Sequence, residues 1–251
     1  MRQPYALLFI LLSALGAAFG SVQTVRAEPL PALAGALRAQ WVAVGLVNTA
    51  GFRDKSSCTG TLIAPDLVLT AAHCVSAVLQ RNRTRHFVAG WDRGSFAAHR
   101  LSKRIDIHPD YAGEQGDDKV RHDIAVIQLS TPIEVGDVTP HALRKPDSRT
   151  VQNLAVLGYH RKRPHVINGR FDCAKQAGSD AERLLLDCEV IAGNSGGPVL
   201  ARGGDGWMVI GVISARLNAT PPRSIAVPID DWVLSHWRAA MARATPGQSD
   251  P

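Results

Sequence analysis

The sequence is poor in aromatic residues and, beyond its N-terminus, in long apolar runs. Phenylalanine, tryptophan and tyrosine make up 6% of its 251 residues, which argues against a surface that stacks nucleic-acid bases. No apolar stretch after the N-terminal segment reaches the ~18 residues that a membrane span needs, which excludes a polytopic membrane protein. With 45% hydrophobic and 20% charged residues, the composition is that of a folded protein, not a disordered chain.

The first 27 residues have the pattern of a secretory signal peptide. Arg2 precedes an apolar run at residues 5–20, and Val25 and Ala27 are the small residues expected just before a cleavage site. We expect cleavage after Ala27 and a protein that is secreted or periplasmic, with no membrane anchor. An uncleaved anchor is the alternative, but the run is short for a span.

Cysteine is also scarce, and its spacing bears on the fold. The chain has 4 cysteines and no C-x-x-C step, so a four-cysteine zinc site is set aside. In an exported protein an even number of cysteines normally forms disulfides. Of the three possible pairings we favour Cys58–Cys74 with Cys173–Cys188, because each closes a short loop and stabilises by about 3 kcal/mol.

Positive charge exceeds negative charge, with a formal net charge of +6. Two short basic clusters stand out, at residues 81–85 and at Arg161-Lys162-Arg163. Such clusters can bind a polyanion or an anionic envelope surface. Because both are short and no nucleic-acid motif accompanies them, we interpret them as solvated loops and expect no nucleic-acid partner.

Short apolar runs separated by Gly, Asp, Asn and Pro predict an all-β protein, a sandwich or barrels rather than βαβ units. Residues 28–40 are expected to be a loose lead-in, and the polar, proline-containing residues 139–150 a linker. The predicted strands are 41–48, 58–63, 67–70, 87–91, 101–107, 124–129, 151–159, 184–190, 198–201, 208–215 and 224–229.

One helix is predicted, at residues 230–245. Asp230 or Asp231 can cap its N-terminus, and Val233, Trp237 and Met241 share one face at a spacing of four residues. An apolar stripe of this kind predicts packing against the core.

Three segments carry residues suited to nucleophilic catalysis. They are TAAHC ending at Cys74, HDIAV beginning at His122, and GNSGGP beginning at Gly193. A serine hydroxyl is a poor nucleophile at neutral pH and needs a base, and the base needs a carboxylate to fix its tautomer. Ser195, His73 and Asp123 offer these three groups.

In this order, the segments resemble the signatures of the trypsin-like, chymotrypsin-fold serine proteases. The resemblance implies two antiparallel, six-stranded-type β-barrels, at 41–138 and 151–229, followed by the C-terminal helix, with a catalytic cleft between the barrels. It implies His73 as general base, Asp123 as its orienting acid and Ser195 as nucleophile. The backbone N–H groups of Gly193 and Ser195 would form the oxyanion hole. Protein or peptide substrates, no cofactor, no metal and a monomer are expected.

The resemblance departs from the activated members at Asn194, where those that are activated by propeptide cleavage carry Asp. We therefore expect activity without such cleavage, as in the bacterial glutamyl-endopeptidase-like and HtrA-like branches. The residues that would line the substrate pocket give opposite forecasts. Glu189 would attract basic side chains, whereas Arg216, beside Ser214, would pair with Glu189 or favour acidic ones. The specificity stays open.

Two other functions fit parts of the sequence. The segment around Ser195 also satisfies G-x-S-x-G, the nucleophile elbow of α/β-hydrolases. That fold needs an acid and a histidine after the serine, and His236 is the sole histidine there, so this alternative is poor. A non-catalytic binding protein on a protease scaffold, using its basic loops, remains the competing class.

Overall fold

The computed structural model describes residues 28–51, 58–76, 84–111, 120–147, 153–204 and 206–244. The expected signal peptide, residues 1–27, lies outside these ranges, as do residues 81–83 of the first basic cluster. Within the described ranges, none of the helices has both the length and the apolar character needed to cross a membrane.

The first half of the chain forms a closed, six-stranded antiparallel barrel. Its strands are adjacent in the order β1, β2, β3, β6, β5, β4 and back to β1. Side-chain alternation explains why β1 is buried throughout: Val47 faces the barrel interior with Leu62 and Phe87, whereas Leu46 faces the core shared with the second half. The strands are β1 Val44–Asn48, β2 Cys58–Ala64, β3 Leu67–Thr70, β4 His86–Ala89, β5 Ala98–Ile107 and β6 Ala125–Leu129.

The second half forms a six-stranded antiparallel sheet in the order β8, β7, β10, β11, β12, β9. Its two edges meet just past β8, at the bridge between Lys175 and Leu186 and at the Cys173–Cys188 disulfide. The all-β fold class with a C-terminal helix is therefore confirmed, with one closed barrel and one sheet joined at its edges. The strands are β7 Leu154–His160, β8 Arg163–Cys173, β9 Leu184–Leu186, β10 Pro198–Gly203, β11 Gly206–Leu217 and β12 Arg223–Pro228.

The lead-in is not loose, contrary to the sequence-based expectation. After a single-turn helix α1 at Gly35–Arg38, a 3-10 helix at Ala39–Trp41 occupies the start of the predicted first strand. Leu30 and Leu33 are buried, and the N–H of Leu33 donates to the carbonyl of Ile167 in β8. Burying two leucine side chains stabilises the folded segment, although its Pro- and Ala-rich sequence forms little regular structure.

Helix α2, Asp231–Ala244, closes the chain against the core between the two halves. The side chain of Asp230 accepts a hydrogen bond from the N–H of Val233 at 2.9 Å, which makes Asp230 the N-cap. The indole N–H of Trp237 donates to the carbonyl of Ile63 at 2.8 Å, which fixes α2 to β2. Met241 is 42% exposed, so the predicted stripe ends before it.

Candidate active site

His73 and Asp123 lie at the same end of the first barrel because of strand register. Strands β3 and β6 are antiparallel neighbours, with Thr70 opposite Ala125. His73 follows Thr70 by three residues, in a 3-10 helix at Ala72–Cys74, and Asp123 precedes Ala125 by two. Where two strands are antiparallel neighbours, the residue that follows one strand and the residue that precedes the other lie at the same end of the pair.

The carboxylate of Asp123 is buried, with 2% exposure, and three donors surround it. His73 Nδ1 lies 2.7 Å from Oδ2, and the backbone N–H of His73 donates to Oδ1 at 2.8 Å. The hydroxyl of Ser214 donates to Oδ2 at 2.5 Å. These bonds place the proton of the neutral imidazole on Nδ1, so that Nε2 carries the lone pair and can act as a base.

The loop that carries Ser195 packs directly against the first barrel. The N–H of Thr59 donates to the carbonyl of Ser195 at 2.8 Å. At Gly196, whose φ is +80°, a Cβ would lie 2.1 Å from the carbonyl oxygen of Thr59, so no side chain fits there. Thr59 follows Cys58, whose disulfide partner Cys74 adjoins His73. Strand β2 therefore holds both segments, the Ser195 loop through Thr59 and the His73 segment through the Cys58–Cys74 disulfide.

The amides expected to form the oxyanion hole are available as donors. Among the residues that the structure describes, no acceptor receives a hydrogen bond from the N–H of Gly193 or of Ser195. Gly193 has a φ of +103°, and a Cβ there would lie 2.8 Å from the Cα of His160. The requirement for glycine thus comes from both the backbone conformation and the close approach of β7.

Thr59 is a structural residue of the site that sequence reasoning missed. Its hydroxyl donates to the carbonyl of Gly193 at 2.8 Å and accepts from the N–H of Tyr159 at 2.9 Å. Thr59 is fully buried, so both bonds are protected from water. The signal that could have found it is a polar residue directly beside a predicted disulfide in an apolar strand.

Asn194 is also held by its side chain, not merely tolerated. Oδ1 accepts from the N–H of Ile191 at 2.9 Å, and Nδ2 donates to the carbonyl of Tyr159 at 3.1 Å. Asn194 is fully buried. Its amide therefore closes the turn before Ser195 and fastens it to β7.

His160 joins the lead-in to the end of β7. Its Nδ1 accepts from the N–H of Arg163 at 3.2 Å, which leaves Nε2–H to donate to the carbonyl of Leu30 at 3.1 Å. Burial lowers the pKa of His160, and the neighbouring Arg163 and Lys162 lower it further. The ring is therefore neutral at physiological pH.

The structure brings the two opposite charges of the expected substrate pocket together. Arg216 Nη2 lies 3.3 Å from Glu189 Oε1, with Glu189 buried and Arg216 exposed on β11. Ser214, two residues earlier on the same strand, binds Asp123 instead. Of the two forecasts made for Arg216, the described geometry shows the pairing with Glu189.

Two clusters within the described ranges contain metal-ligating residue types. In the first, His73 Nε2 lies 3.6 Å from Cys74 Sγ, but the sulfurs of Cys58 and Cys74 form a disulfide and offer no thiolate. In the second, His108 Nε2 is 2.9 Å from Asp230 Oδ2, while the rings of His108 and His122 stack with centroids 4.6 Å apart and planes 15° apart. The lone pairs of stacked rings lie in separate planes and do not converge on one ion. Both clusters are explained by the bonds that they already make.

Comparison with known proteins places this geometry in a family. The family model described as Trypsin matches residues 36–237. Phenoloxidase-activating factor 1 from Holotrichia diomphalia is 28% identical in an alignment 217 residues long, which covers 69% of this chain and 58% of that protein. The chain thus spans less than two thirds of that relative's length. A solved structure titled as a Glu endopeptidase in complex with MPD shares the fold, with a TM-score of 0.66 and 19% identity over 86% of this chain and 98% of its own. Because the family match extends over most of the described residues, the chain belongs to the trypsin family, the trypsin-like serine proteases of chymotrypsin fold.

Proposed function

We propose that the protein is a serine endopeptidase that cleaves peptide bonds through an acyl-enzyme on Ser195. The observation that carries the proposal is the buried carboxylate of Asp123, 2.7 Å from His73 Nδ1. This bond orients the base, and the contact of the Ser195 loop with Thr59, beside the disulfide that holds the His73 segment, supports the pairing of the base with Ser195. The family membership and the implied protein or peptide substrates agree with this chemistry.

Each residue has a defined role in the proposed reaction. Ser195 Oγ attacks the scissile carbonyl while His73 Nε2 takes its proton, and the carboxylate of Asp123 stabilises the imidazolium. His73 then gives the proton to the leaving amine, and a water repeats the sequence to release the acyl group. The N–H groups of Gly193 and Ser195 stabilise the oxyanion, each such donor contributing roughly 3–4 kcal/mol.

We propose that the site is assembled without propeptide cleavage. The side-chain amide of Asn194 satisfies both of its polar groups with backbone partners, Ile191 and Tyr159. A neutral residue paired in this way needs no ammonium group from a new N-terminus. Signal-peptide removal after Ala27 and export are proposed from the sequence, and two disulfides suit an oxidising compartment.

The test is the variant Ser195→Ala, assayed on casein and on a mixture of peptides. We expect activity to fall by ~10⁶-fold, as for other serine nucleophiles, with an unchanged unfolding curve. The control Ser130→Ala changes an exposed serine and should retain full activity. Activity remaining in Ser195→Ala would overturn the proposal.

The competing function, a non-catalytic binding protein on this scaffold, is separated by covalent labelling. A serine-directed phosphonate should label the parent chain once and leave Ser195→Ala unlabelled. A folded parent chain that neither cleaves peptides nor reacts with the phosphonate would favour the binding protein.

A further inference from the structure

Three consecutive cations lie where β7 turns into β8: Arg161 and Lys162 in the turn and Arg163 at the start of β8, here called the basic tip. All three residues are exposed. Among the described residues, none supplies a carboxylate or any hydrogen-bond acceptor to their side chains. The sequence alone favoured a solvated loop for this cluster. Its position in the fold, next to the Ser195 loop, indicates a second role.

Backbone contacts put the basic tip beside the Ser195 loop, at Ala192 and Gly193. The N–H of Arg161 donates to the carbonyl of Ala192 at 3.0 Å. A Cβ on Gly193 would lie 2.8 Å from the Cα of His160 and 3.4 Å from the backbone nitrogen of Arg161. A guanidinium or ammonium on this turn is therefore within one side-chain length of the scissile bond of a bound substrate.

Sheet order decides on which side of the scissile bond the basic tip lies. Strand β10, which follows the Ser195 loop, has β7 on one side and β11 on the other. Strand β11 carries Ser214 and Arg216, so the pocket with Glu189 flanks the loop from that side. The basic tip, at the end of β7, flanks it from the opposite side. In the proposed reaction the acyl half of a substrate occupies the pocket side, so the leaving-group half extends toward the basic tip.

We propose that the basic tip gives the enzyme a preference for substrates with acidic residues among the first few positions after the scissile bond. The inference rests on the proposed endopeptidase function. Three cations without counter-ions produce a positive potential over about one Debye length, ~8 Å at physiological ionic strength. That distance covers two to three residues of an extended peptide. Carboxylates placed there are attracted, and the attraction weakens as salt is added.

The experiment starts from one cleavage site mapped in casein and uses two peptides that differ only after the scissile bond. One carries Glu and the other Gln at the second and third positions of the leaving-group half. At low ionic strength we expect the parent chain to cleave the Glu peptide with a kcat/KM three- to tenfold higher, and the difference to disappear in ~0.5 M NaCl. In Arg161→Gln/Lys162→Gln/Arg163→Gln the two peptides should be cleaved equally, at the rate at which the parent cleaves the Gln peptide.

A second triple variant controls for net charge. Lys103→Gln/Arg202→Gln/Arg238→Gln removes three exposed cations outside the Ser195 loop and its flanking turns and should keep the parent's preference. Equal cleavage of both peptides by the parent at low salt would overturn the proposal while leaving the endopeptidase function intact. Equal cleavage combined with heparin retention of the parent but not of the basic-tip variant would assign the tip to polyanions and overturn it as well. If the parent chain cleaves neither casein nor any peptide of the mixture, both proposals are overturned.

Discussion

The variant Asn194→Asp tests whether the side-chain amide holds the Ser195 loop in place. The replacement is isosteric, so packing is preserved and the change is electrostatic. Nδ2, which donates to the carbonyl of Tyr159 at 3.1 Å, becomes an oxygen that faces another oxygen. The carboxylate is fully buried, and a buried charge without a partner costs about 3–5 kcal/mol. At 1.4 kcal/mol per factor of ten, the loop would be displaced and activity reduced by ~10²–10³-fold at pH 8.

The pH dependence of stability separates this mechanism from simple misfolding. Burial raises the pKa of a new carboxyl in the folded state above its unfolded value near 3.9. The folded state therefore binds more protons than the unfolded state at pH 5, and the loss of stability is small there and grows as pH rises. A protonated carboxyl can donate to Tyr159 and accept from Ile191, as the amide does. Urea unfolding of Asn194→Asp at pH 5 and pH 8, beside a peptide assay at pH 8, measures both effects.

The control for charge alone is Asn218→Asp, the same substitution at an exposed residue. It should leave activity and stability within experimental error of the parent chain. Asn194→Asp with the parent's activity at pH 8 and no change in unfolding would refute the role given to the amide.

Two further predictions concern the polar side chains of Thr59 and His141. Thr59→Val removes the hydroxyl that pairs with Gly193 and Tyr159, which costs about 1–3 kcal/mol for each backbone group left unpaired. The kcat should fall at least tenfold with KM little changed, and Thr59→Ser should recover it. An unaltered kcat in Thr59→Val would contradict the positioning role. Burial lowers the pKa of His141 to about 4. Between pH 6.5 and pH 4 this histidine is therefore protonated in the unfolded chain but neutral in the folded protein. The contribution of this residue to the free energy of unfolding is therefore complete above pH 6.5 and decreases by about 3 kcal/mol as the pH falls to 4. Measured by urea unfolding, the free energy of unfolding of His141→Phe should fall less between pH 6.5 and pH 4 than that of the parent chain. An equal fall in both proteins would exclude this cause.

The local sequence was sufficient to predict those elements whose residue pattern fits few other structures. The short apolar runs predicted most strands, because turn residues interrupt them at regular intervals. The disulfide pairs in the structure are those that short loop closure favoured. The helix after Asp230 was predicted because an N-cap preceded an amphipathic pattern.

The sequence was insufficient where distant partners decide the structure. Strand β8, Arg163–Cys173, was not predicted because its first residues are charged and its pairing with β7 is set by tertiary contacts. The partners of Asn194 and Thr59 lie on other strands, so no local pattern reveals them. For Arg216 the sequence left two forecasts open, and the ion pair with Glu189 was decided only by a loop and a strand that meet in the fold.

The buried lead-in bears on how the protein should be produced. Leu30, whose carbonyl accepts the hydrogen bond from His160, lies three residues after Ala27, where signal-peptide cleavage is proposed. In the mature chain, bulky sequence fused directly before Glu28 would crowd this buried segment and its bond to His160. The far end of α2 is a safer place, because Ala242, Arg243 and Ala244 are exposed. Purification handles and reporter fusions therefore belong after the helix.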